Sequence, residues 1–224
     1  MPPTEVRDSG ANGRYATALP SSLGAASSWD TESACAFGTV IGSDLRAQGY
    51  NMTLGGGVDL AREPRNGRTF EYAGEDPLLA GTIVGNLMKC EQAQHVVGDI
   101  KHYAMNDQET GRNFVNAVIS KRGMQESDLL AFHIAISIAN PGAVMCGYNR
   151  VNGDYNCENS YLLHDVLKGQ WGFKGFVDSD WGGTHSTEKA SAAGLDQEAA
   201  PMANYFGPKL VDAVNSGHVP LLGN

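Results

Sequence analysis

Apolar residues recur along this chain in two patterns that alternate from about Ser28 onwards. Between Ser28 and Gly49, and again between Asp76 and Gln94, they return at the three- or four-residue spacing of an amphipathic helix. Elsewhere they form short continuous runs, which are typical of strands buried on both faces. Helical and strand segments that alternate in this way predict βαβ units around a parallel sheet.

The pattern assigns most of the chain to regular elements. We predict helices at 28–49, 76–94, 125–139, 159–168, 184–193 and 208–215. Strands are predicted at 50–54, 95–100, 143–148 and 174–179, with a strand and its loop at 15–23 and a further strand candidate at 192–195. No hairpin signal is identified between any two strands. Residues 55–77 form a long loop rich in glycine, arginine and acidic residues, and its length and aromatic residues favour a functional role.

The predicted β/α units number five or six, fewer than the eight of a complete barrel, which typically needs roughly 250 residues. The fold class is therefore predicted to be α/β, as a partial or complete (β/α)8 barrel of the TIM type. We expect a single domain over residues 15–224, after a polar N-terminal segment at 1–14. In such a barrel the carboxyl ends of the strands converge on one face, where active sites lie.

The composition is that of a soluble globular protein, with 224 residues, 42% hydrophobic residues and a mean hydropathy of −0.28. A formal net charge of −9 without any basic run argues against nucleic acid as a partner. No apolar run reaches the ~20 residues that a membrane span needs. Met1–Gly13 is polar and of mixed charge, unlike a signal peptide, and the compartment stays open.

The four cysteines, Cys35, Cys90, Cys146 and Cys157, lack the close spacing of a metal site and are too sparse for a disulfide scaffold. Cys35 and Cys90 lie on apolar helix faces and are interpreted as core thiols. A bridge between Cys146 and Cys157 is an open alternative. We predict no metal and no cofactor.

Two carboxylates lie at the end of the predicted strand 174–179. Asp178 and Asp180 are two positions apart, so in an extended chain their side chains point to the same side. Trp181 and a glycine pair come next. A carboxylate at a strand end, beside a flat aromatic residue, suits a site that holds a sugar ring. The alternative is that one of the two aspartates caps the next helix.

Cationic and hydrogen-bonding side chains follow other predicted strands or lie in loops, and this group comprises Arg68, Lys101, His102, Arg112 and Tyr148. A glycosidase that attacks an anomeric carbon needs an ionised carboxylate, and neighbouring cations keep the pKa of such a carboxylate low. Charged hydrogen-bonding groups also suit the hydroxyl groups of a sugar. The alternative is that these charges form ordinary surface ion pairs, which contribute little energy.

The sequence resembles glycoside hydrolase family 3 of the β-glucosidase type. Four segments carry the resemblance, namely 67–77 (GRTFEYAGEDP), 101–112 (KHY through GR), 144–153 (VMCGYN with VNG) and 175–181 (GFVDSDW). The resemblance implies a retaining β-glycosidase with Asp180, the aspartate of Ser-Asp-Trp, as its nucleophile. It further implies that Arg68, Lys101, His102, Arg112 and Tyr148 bind the sugar, and that Met145 and Trp181 line the apolar side of its subsite.

The chain departs from the family pattern in three places. The N-terminal segment is shortened, and Asp8 is the residue there that would bind the sugar. The general acid/base glutamate of this family type comes from a second α/β sandwich domain, which we expect 15–224 to lack. Asp178 stands where the family commonly has an apolar residue. The expected partners are therefore a small saccharide or glucoside and a domain or second chain that supplies the acid/base, with no nucleic acid and no membrane.

Three functions compete. The first is retaining hydrolysis of β-glucosidic bonds, and Tyr103-Ala104-Met105-Asn106 after Lys101-His102 disfavours the N-acetylglucosaminidase branch of the family. The second is a truncated barrel that binds sugars with weak or no turnover. The third and less favoured function is a Schiff-base aldolase that uses Lys101.

Overall fold

The computed structural model describes residues 16–199 and 204–221, so Asp8 lies outside the described residues. Two compact units divide the chain. The first unit comprises the chain up to Lys101 together with Asp107–Thr110 and Ser120–Ala143, and the second comprises His102–Asn106, Gly111–Ile119 and the chain from Val144 onwards.

Helices dominate the first unit, in the order α1 (Ser22–Ala26), α2 (Thr31–Ala47), α3 (Pro77–Gln92), α4 (Lys121–Glu126) and α5 (Asp128–Ala139). Helix α2 begins after the N-cap Asp30 and helix α3 after the N-cap Asp76, and each carboxylate accepts a hydrogen bond from a backbone N–H in the first turn. Both helices confirm the sequence prediction. Glycine permits their close packing, because a Cβ at Gly38 would collide with the carbonyl oxygen of Leu87.

The interpretation of Cys35 and Cys90 as core thiols is wrong. They form a disulfide between α2 and α3, with their Cα atoms 5.2 Å apart. The physical reason is that the apolar faces of both helices pack together, which brings two residues 55 positions apart in sequence within bridging distance. In the second unit, Cys146 and Cys157 also form a disulfide, so the bridge left open by the sequence is present.

Four strands form a sheet in the order β1-β2-β4-β7, with β1 at Gly56–Gly57, β2 at Asp99–Tyr103, β4 at Ala143–Cys146 and β7 at Phe176–Ser179. Strand β1 pairs in parallel with β2, Gly56 opposite Ile100 and Gly57 opposite Lys101. Nearly every residue of these strands is buried, which accounts for their continuous apolar runs. Over the described residues the fold is therefore mixed α/β with a parallel sheet, and no closed barrel forms.

A hairpin in the second unit contradicts the expectation that no hairpin is present. Strand β5 (Arg150–Val151) pairs antiparallel with β6 (Asp154–Tyr155), and β3 (Asn116–Ala117) pairs in parallel with β5. The turn is Asn152-Gly153, with φ angles of 51° and 106°. An Asn-Gly pair is the strongest local hairpin signal, because both residues tolerate positive φ. The strands on either side are too short to show an alternating pattern.

The second unit continues with helical segments at Asn156–Glu158 (3₁₀), Tyr161–Gln170 (π-type), α6 (Glu188–Ala193) and α7 (Pro208–Asn215). Several sequence-based bounds are wrong. Residues 16–21 are irregular and lead into α1, 50–54 contributes only an isolated pairing of Met52 with Val97, and 192–195 is not a strand. The helix predicted at 125–139 is divided at Ser127, whose φ and ψ of −132° and −94° are not helical. Among the described residues, no helix has the length and apolar character needed to cross a bilayer.

Candidate active site

Arg68, Glu71 and Lys101 form a buried ion cluster in the first unit. The Arg68 guanidinium donates from Nε and Nη2 to the two carboxylate oxygens of Glu71, at 2.7 and 2.8 Å. Lys101 Nζ lies 3.1 Å from Glu71 Oε1, and its side chain is almost fully buried at the end of the β1-paired part of β2. Glu109 lies at the edge of this cluster, 3.9 Å from Arg68 Nη1.

The charge state of Glu71 follows from these contacts. Burial alone would raise the pKa of its carboxyl, but the Lys101 ammonium and the Arg68 guanidinium together outweigh burial and lower it. Glu71 is therefore an anion that orients two cations, and it is not a proton donor. Sequence reasoning identified Arg68 and Lys101 but missed that Glu71 holds both.

Asp180 is the centre of a second polar cluster, which lies within the second unit. Its Oδ1 accepts hydrogen bonds from the Tyr148 hydroxyl and from the Trp181 backbone N–H, both at 2.8 Å. Its Oδ2 lies 3.6 Å from His102 Nε2. Asp180 and His102 are 5% and 1% exposed, so this carboxylate is held in a nearly dry environment.

The backbone around Asp180 explains how the side chain is placed. Asp180 follows β7 directly, and its N–H donates to the carbonyl of Cys146 at the end of β4, at 3.3 Å. The chain then turns sharply: Gly182 has a φ of 77°, and the Gly183 N–H donates to the Asp180 carbonyl at 2.9 Å. A strand end followed by a tight glycine turn therefore fixes the carboxylate.

Arg112 contacts this cluster through Tyr148. The guanidinium carbon lies 4.2 Å from the centre of the Tyr148 ring, a cation–π distance. The Tyr148 hydroxyl is also 2.9 Å from the Trp181 carbonyl, so its single proton has two acceptors within reach, Asp180 and Trp181. The structure therefore brings His102, Arg112, Tyr148 and Asp180 together, and their roles in sugar binding stay predictions.

Lys101 and His102 are neighbours in β2 but contact different carboxylates. Lys101 pairs with Glu71 and His102 lies beside Asp180. The sequence placed both residues just beyond a strand, whereas β2 extends through Tyr103 and includes them. These two polar residues can lie inside a buried strand because their side chains contact buried carboxylates rather than solvent.

Two asparagines that the sequence did not single out support the loop that carries Tyr148. Asn156 Nδ2 donates to the Ala104 carbonyl at 2.7 Å and to Asn149 Oδ1 at 2.9 Å. Asn149 Nδ2 donates to the Met105 carbonyl at 3.0 Å. Buried side-chain amides that satisfy backbone carbonyls in this way rigidify irregular chain. The only sequence signal was a recurrence of asparagine after the strand.

The remaining predicted residues are placed as follows. Met145 is buried within β4, three positions before Tyr148. Trp181 is 38% exposed beside Asp180, which leaves part of its side chain accessible to a ligand. Asp178 is 4% exposed within β7. Over the residues that the structure describes, no group of three or more His, Cys, Asp or Glu side chains is arranged to hold a metal ion.

The fold and the site define an α/β protein with a buried strand-end aspartate held by a tyrosine, a backbone amide and a histidine. The family model of the glycosyl hydrolase family 3 N-terminal domain matches residues 6–207. The chain belongs to this family.

Curated relatives carry glucosidase names. The chain is 43% identical over 206 residues to beta-glucosidase B of Emericella nidulans, covering 88% of this chain and 24% of that protein. It is 40% identical over 202 residues to thermostable beta-glucosidase B of Acetivibrio thermocellus, covering 90% and 27%. The chain thus spans about a quarter of the length of these relatives.

Solved structures similar to this chain also carry beta-glucosidase names. A GH3 beta-glucosidase from Bifidobacterium adolescentis superposes with a TM-score of 0.91 at 36% identity, over 98% of this chain and 32% of that one. DesR, a beta-glucosidase from Streptomyces venezuelae in complex with D-glucose, gives 0.87 at 38% identity, over 93% and 28%. The similarity therefore includes a protein with glucose bound.

Proposed function

We propose that this chain carries the nucleophile and the sugar-binding residues of a retaining β-glucosidase. Family membership and the names of its relatives support hydrolysis of β-glucosidic bonds. The glucose-bound relative supports a saccharide substrate. The four parallel strands would then be part of a (β/α)8 barrel, in which catalytic residues follow the strands.

The hydrogen bonds to Asp180 carry the proposal. Both donors, the Tyr148 hydroxyl and the Trp181 N–H, bind Oδ1, and Oδ2 lies 3.6 Å from His102. One oxygen is thereby fixed, and the other is the one proposed to attack. In the first step Oδ2 bonds to the anomeric carbon while the bond from that carbon to the leaving oxygen breaks. In the second step water replaces Asp180, which leaves as the free carboxylate.

The other predicted residues bind the sugar in this proposal. Arg68, Lys101, His102, Arg112 and Tyr148 supply charged or polar hydrogen bonds to hydroxyl groups, while Met145 and Trp181 provide apolar surface. Glu71 supports two of them by fixing the Arg68 and Lys101 side chains.

The leaving oxygen requires a proton, and Glu71 cannot give it because two cations hold it as an anion. We propose that the acid/base is supplied by a further domain or second chain. Glu109, whose side chain is 22% exposed, is the local candidate.

Labelling by a mechanism-based 2-fluoro-glucoside tests the nucleophile. The wild-type chain should gain one glycosyl adduct, and peptide mapping should place it on Asp180. Asp180→Asn should abolish both labelling and turnover of a nitrophenyl β-glucoside, since the amide is nearly isosteric but is not a nucleophile. Asp178→Asn is the matched control, because it removes the neighbouring buried carboxylate. An adduct on Asp178 would overturn the assignment.

Sugar binding without turnover is the second candidate. The ionised state of Glu71 favours it, because Glu71 then has no proton to give to a leaving group. Glucose binding measured by calorimetry, together with absence of any adduct after long incubation with the fluoro-glucoside, would establish this candidate. The aldolase has no supporting observation, since Lys101 Nζ is engaged by Glu71.

A further inference from the structure

Three side chains of the second unit, Arg150, Tyr155 and His185, form a stack. The ring of His185 is stacked on the ring of Tyr155, with centroids 3.6 Å apart and planes inclined by 15°. The Arg150 guanidinium carbon lies 4.4 Å from the centre of the Tyr155 ring, and its Nη2 donates to the Tyr155 hydroxyl at 2.9 Å. Arg150 and Tyr155 belong to the two strands of the hairpin, whereas His185 belongs to the loop after β7.

Ion pairs and a hydrogen bond join the same two segments a few residues further on. The Ser186 hydroxyl donates to Glu158 Oε2 at 2.5 Å, and Lys189 Nζ lies 3.4 Å from Glu158 Oε1. Lys189 also pairs with Asp154 at 2.6 Å. Residues 150–158 and 185–189 are therefore connected at several points, and the stack is the connection nearest to Asp180 in sequence.

The position of the stack links it to the proposed chemistry. Arg150 comes two residues after Tyr148, and His185 comes five residues after Asp180. The stack thus joins the two chain segments that carry the donor and the acceptor of the Tyr148–Asp180 hydrogen bond. A shift of the loop at His185 would be transmitted through a short, tightly turned segment to Asp180 and Trp181.

The contacts of His185 indicate that the face of its ring, rather than a ring nitrogen, holds the side chain in place. Its Nε2 is buried and makes no hydrogen bond with the described residues, so the imidazole is not held in place by that nitrogen. A histidine retained only to satisfy a buried partner would use its ring nitrogens. Here the described contact is the face-to-face stack.

We propose that His185 is a positioning residue, which by stacking in its neutral form on Tyr155 fixes the loop 181–187 and so aligns Asp180 and Trp181 with Tyr148. The proposal rests on the proposed nucleophilic role of Asp180, but the alignment itself is measurable without turnover.

Protonation of His185 should weaken this alignment. Burial lowers the pKa of His185; Glu158, from the 3₁₀ segment, opposes this, and Arg150, from β5, adds to it. The other charged groups nearby, Asp154 and Lys189, pair with each other. The neutral ring therefore predominates at neutral pH. As the pH falls through the lowered pKa, a second cation forms beside Arg150 and the stacked arrangement loses stability.

The test compares two substitutions at one position. His185→Phe keeps a flat ring but cannot be protonated, whereas His185→Ala removes the stack. His164→Ala is the matched control, because His164 is an exposed histidine of the same unit, paired with Asp165 at 2.9 Å. The first readout is the NMR signal of the Trp181 indole N–H, assigned with Trp181→Phe. The second is the rate at which the fluoro-glucoside labels Asp180.

We expect His185→Ala to move the Trp181 signal and to slow labelling by about 10- to 10²-fold, the cost typical of a small misplacement. His185→Phe should retain the wild-type signal and rate at neutral pH, and His164→Ala should change neither. When the pH is lowered, the Trp181 signal of wild type should show a movement that the His185→Phe variant lacks, because phenylalanine cannot be protonated. Because every other titratable group is common to both proteins, the difference isolates His185.

Two results would overturn the proposal. One is a lower melting temperature of His185→Ala with an unchanged Trp181 signal and labelling rate, which would make the stack a stability feature only. The other is a His185→Phe variant that behaves like the alanine variant. If the wild type is not labelled at all, the proposed function fails, and the Trp181 signal still decides the alignment. If His185→Ala does not fold, the pH comparison of His185→Phe with wild type decides it.

Discussion

The Tyr148 hydroxyl lies 2.8 Å from Asp180 Oδ1 and 2.9 Å from the carbonyl oxygen of Trp181. The two acceptors come from consecutive residues, and the phenol has one proton to donate. While Asp180 is a free carboxylate, the charged acceptor is the stronger one. In the proposed mechanism Asp180 loses its charge when the sugar esterifies it, and the Trp181 carbonyl then becomes the competing acceptor. The Tyr148 hydroxyl would therefore have an acceptor in both proposed states of Asp180.

Tyr148→Phe should slow the reaction without unfolding the protein. The change removes one hydrogen bond to a charged acceptor, which is typically worth about 1.5–3 kcal/mol, or roughly 10- to 150-fold in kcat/KM. Steady-state kinetics with nitrophenyl β-glucoside measures the loss. Tyr205→Phe is the control, since the Tyr205 ring contacts Lys209 rather than a carboxylate. Unchanged kcat/KM in Tyr148→Phe would remove the tyrosine from the mechanism.

Lys101→Ala should weaken binding of the transition state. Lys101 is 3% exposed and its Nζ lies 3.1 Å from Glu71 Oε1, so its ammonium is held in place, and the proposed function assigns it to a sugar hydroxyl. A loss of about 1.5–3 kcal/mol in kcat/KM is expected for the missing charged hydrogen bond. Lys174→Ala, at an exposed position, provides the comparison. Wild-type kinetics in the Lys101 variant would contradict the predicted sugar-binding role, which His102 and Arg112 are predicted to share.

Helices α2 and α3 could be predicted from the sequence because their signals are local. Asp30 and Asp76 supply caps, and the apolar residues that follow repeat at helical spacing over several turns. The same is true of the strand that leads to Asp180, whose apolar run stops abruptly at a polar group. Of the residues that the sequence assigned to one site, His102 and Tyr148 contact Asp180, whereas Arg68 and Lys101 contact Glu71, and their functional roles stay predictions.

The relationships that the sequence could not give are those between distant residues. The Cys35–Cys90 disulfide depends on how two helices pack, and no spacing rule links cysteines 55 positions apart. The stack of Tyr155 on His185 likewise joins strand β6 to the loop after β7. The hairpin at Asn152-Gly153 is different, because its local signal was present and was overlooked between two very short strands.

Glu91 should make the stability of the fold depend on pH. It is fully buried on α3, and burial raises the pKa of its carboxyl to about 8, partly offset by the Thr53 hydroxyl. The pKa of an ordinary glutamate, as in the unfolded chain, is 4.5, so between pH 4.5 and about 8 the folded state binds more protons than the unfolded state. The contribution of Glu91 to stability is fully present below pH 4.5 and is lost as the pH rises through 8.

Glu91→Gln should remove this dependence, because the neutral amide has nearly the same shape. Relative to wild type, the variant should gain stability at alkaline pH, on the order of 5 kcal/mol at most for a pKa shift from 4.5 to about 8. Urea unfolding at pH 5, 7 and 9 measures the slope, with the exposed Glu75→Gln as control. Parallel pH curves for wild type and Glu91→Gln would show that Glu91 is ionised in the folded protein.

The source of the leaving-group proton gives the last prediction. An aryl leaving group of low pKa needs little protonation, whereas a sugar alcohol needs much. Glu71 is held as an anion, and Glu109 lies 3.9 Å from Arg68 Nη1. If a further domain or second chain supplies the acid/base, as proposed, residues 1–224 alone should cleave nitrophenyl β-glucoside slowly and cellobiose scarcely at all, with a deficit of ~10²–10⁴-fold, the usual contribution of general acid/base catalysis.

Azide and two glutamine variants test this prediction directly. Azide needs no general base, so it should partly restore release of the glycosyl group from Asp180 and yield the glycosyl azide. Glu109→Gln should then change the rates as little as Glu75→Gln, because neither carboxyl is the proton donor in the proposed mechanism. Efficient hydrolysis of cellobiose by the wild-type chain, lost in Glu109→Gln and kept in Glu75→Gln, would instead identify Glu109 as the acid.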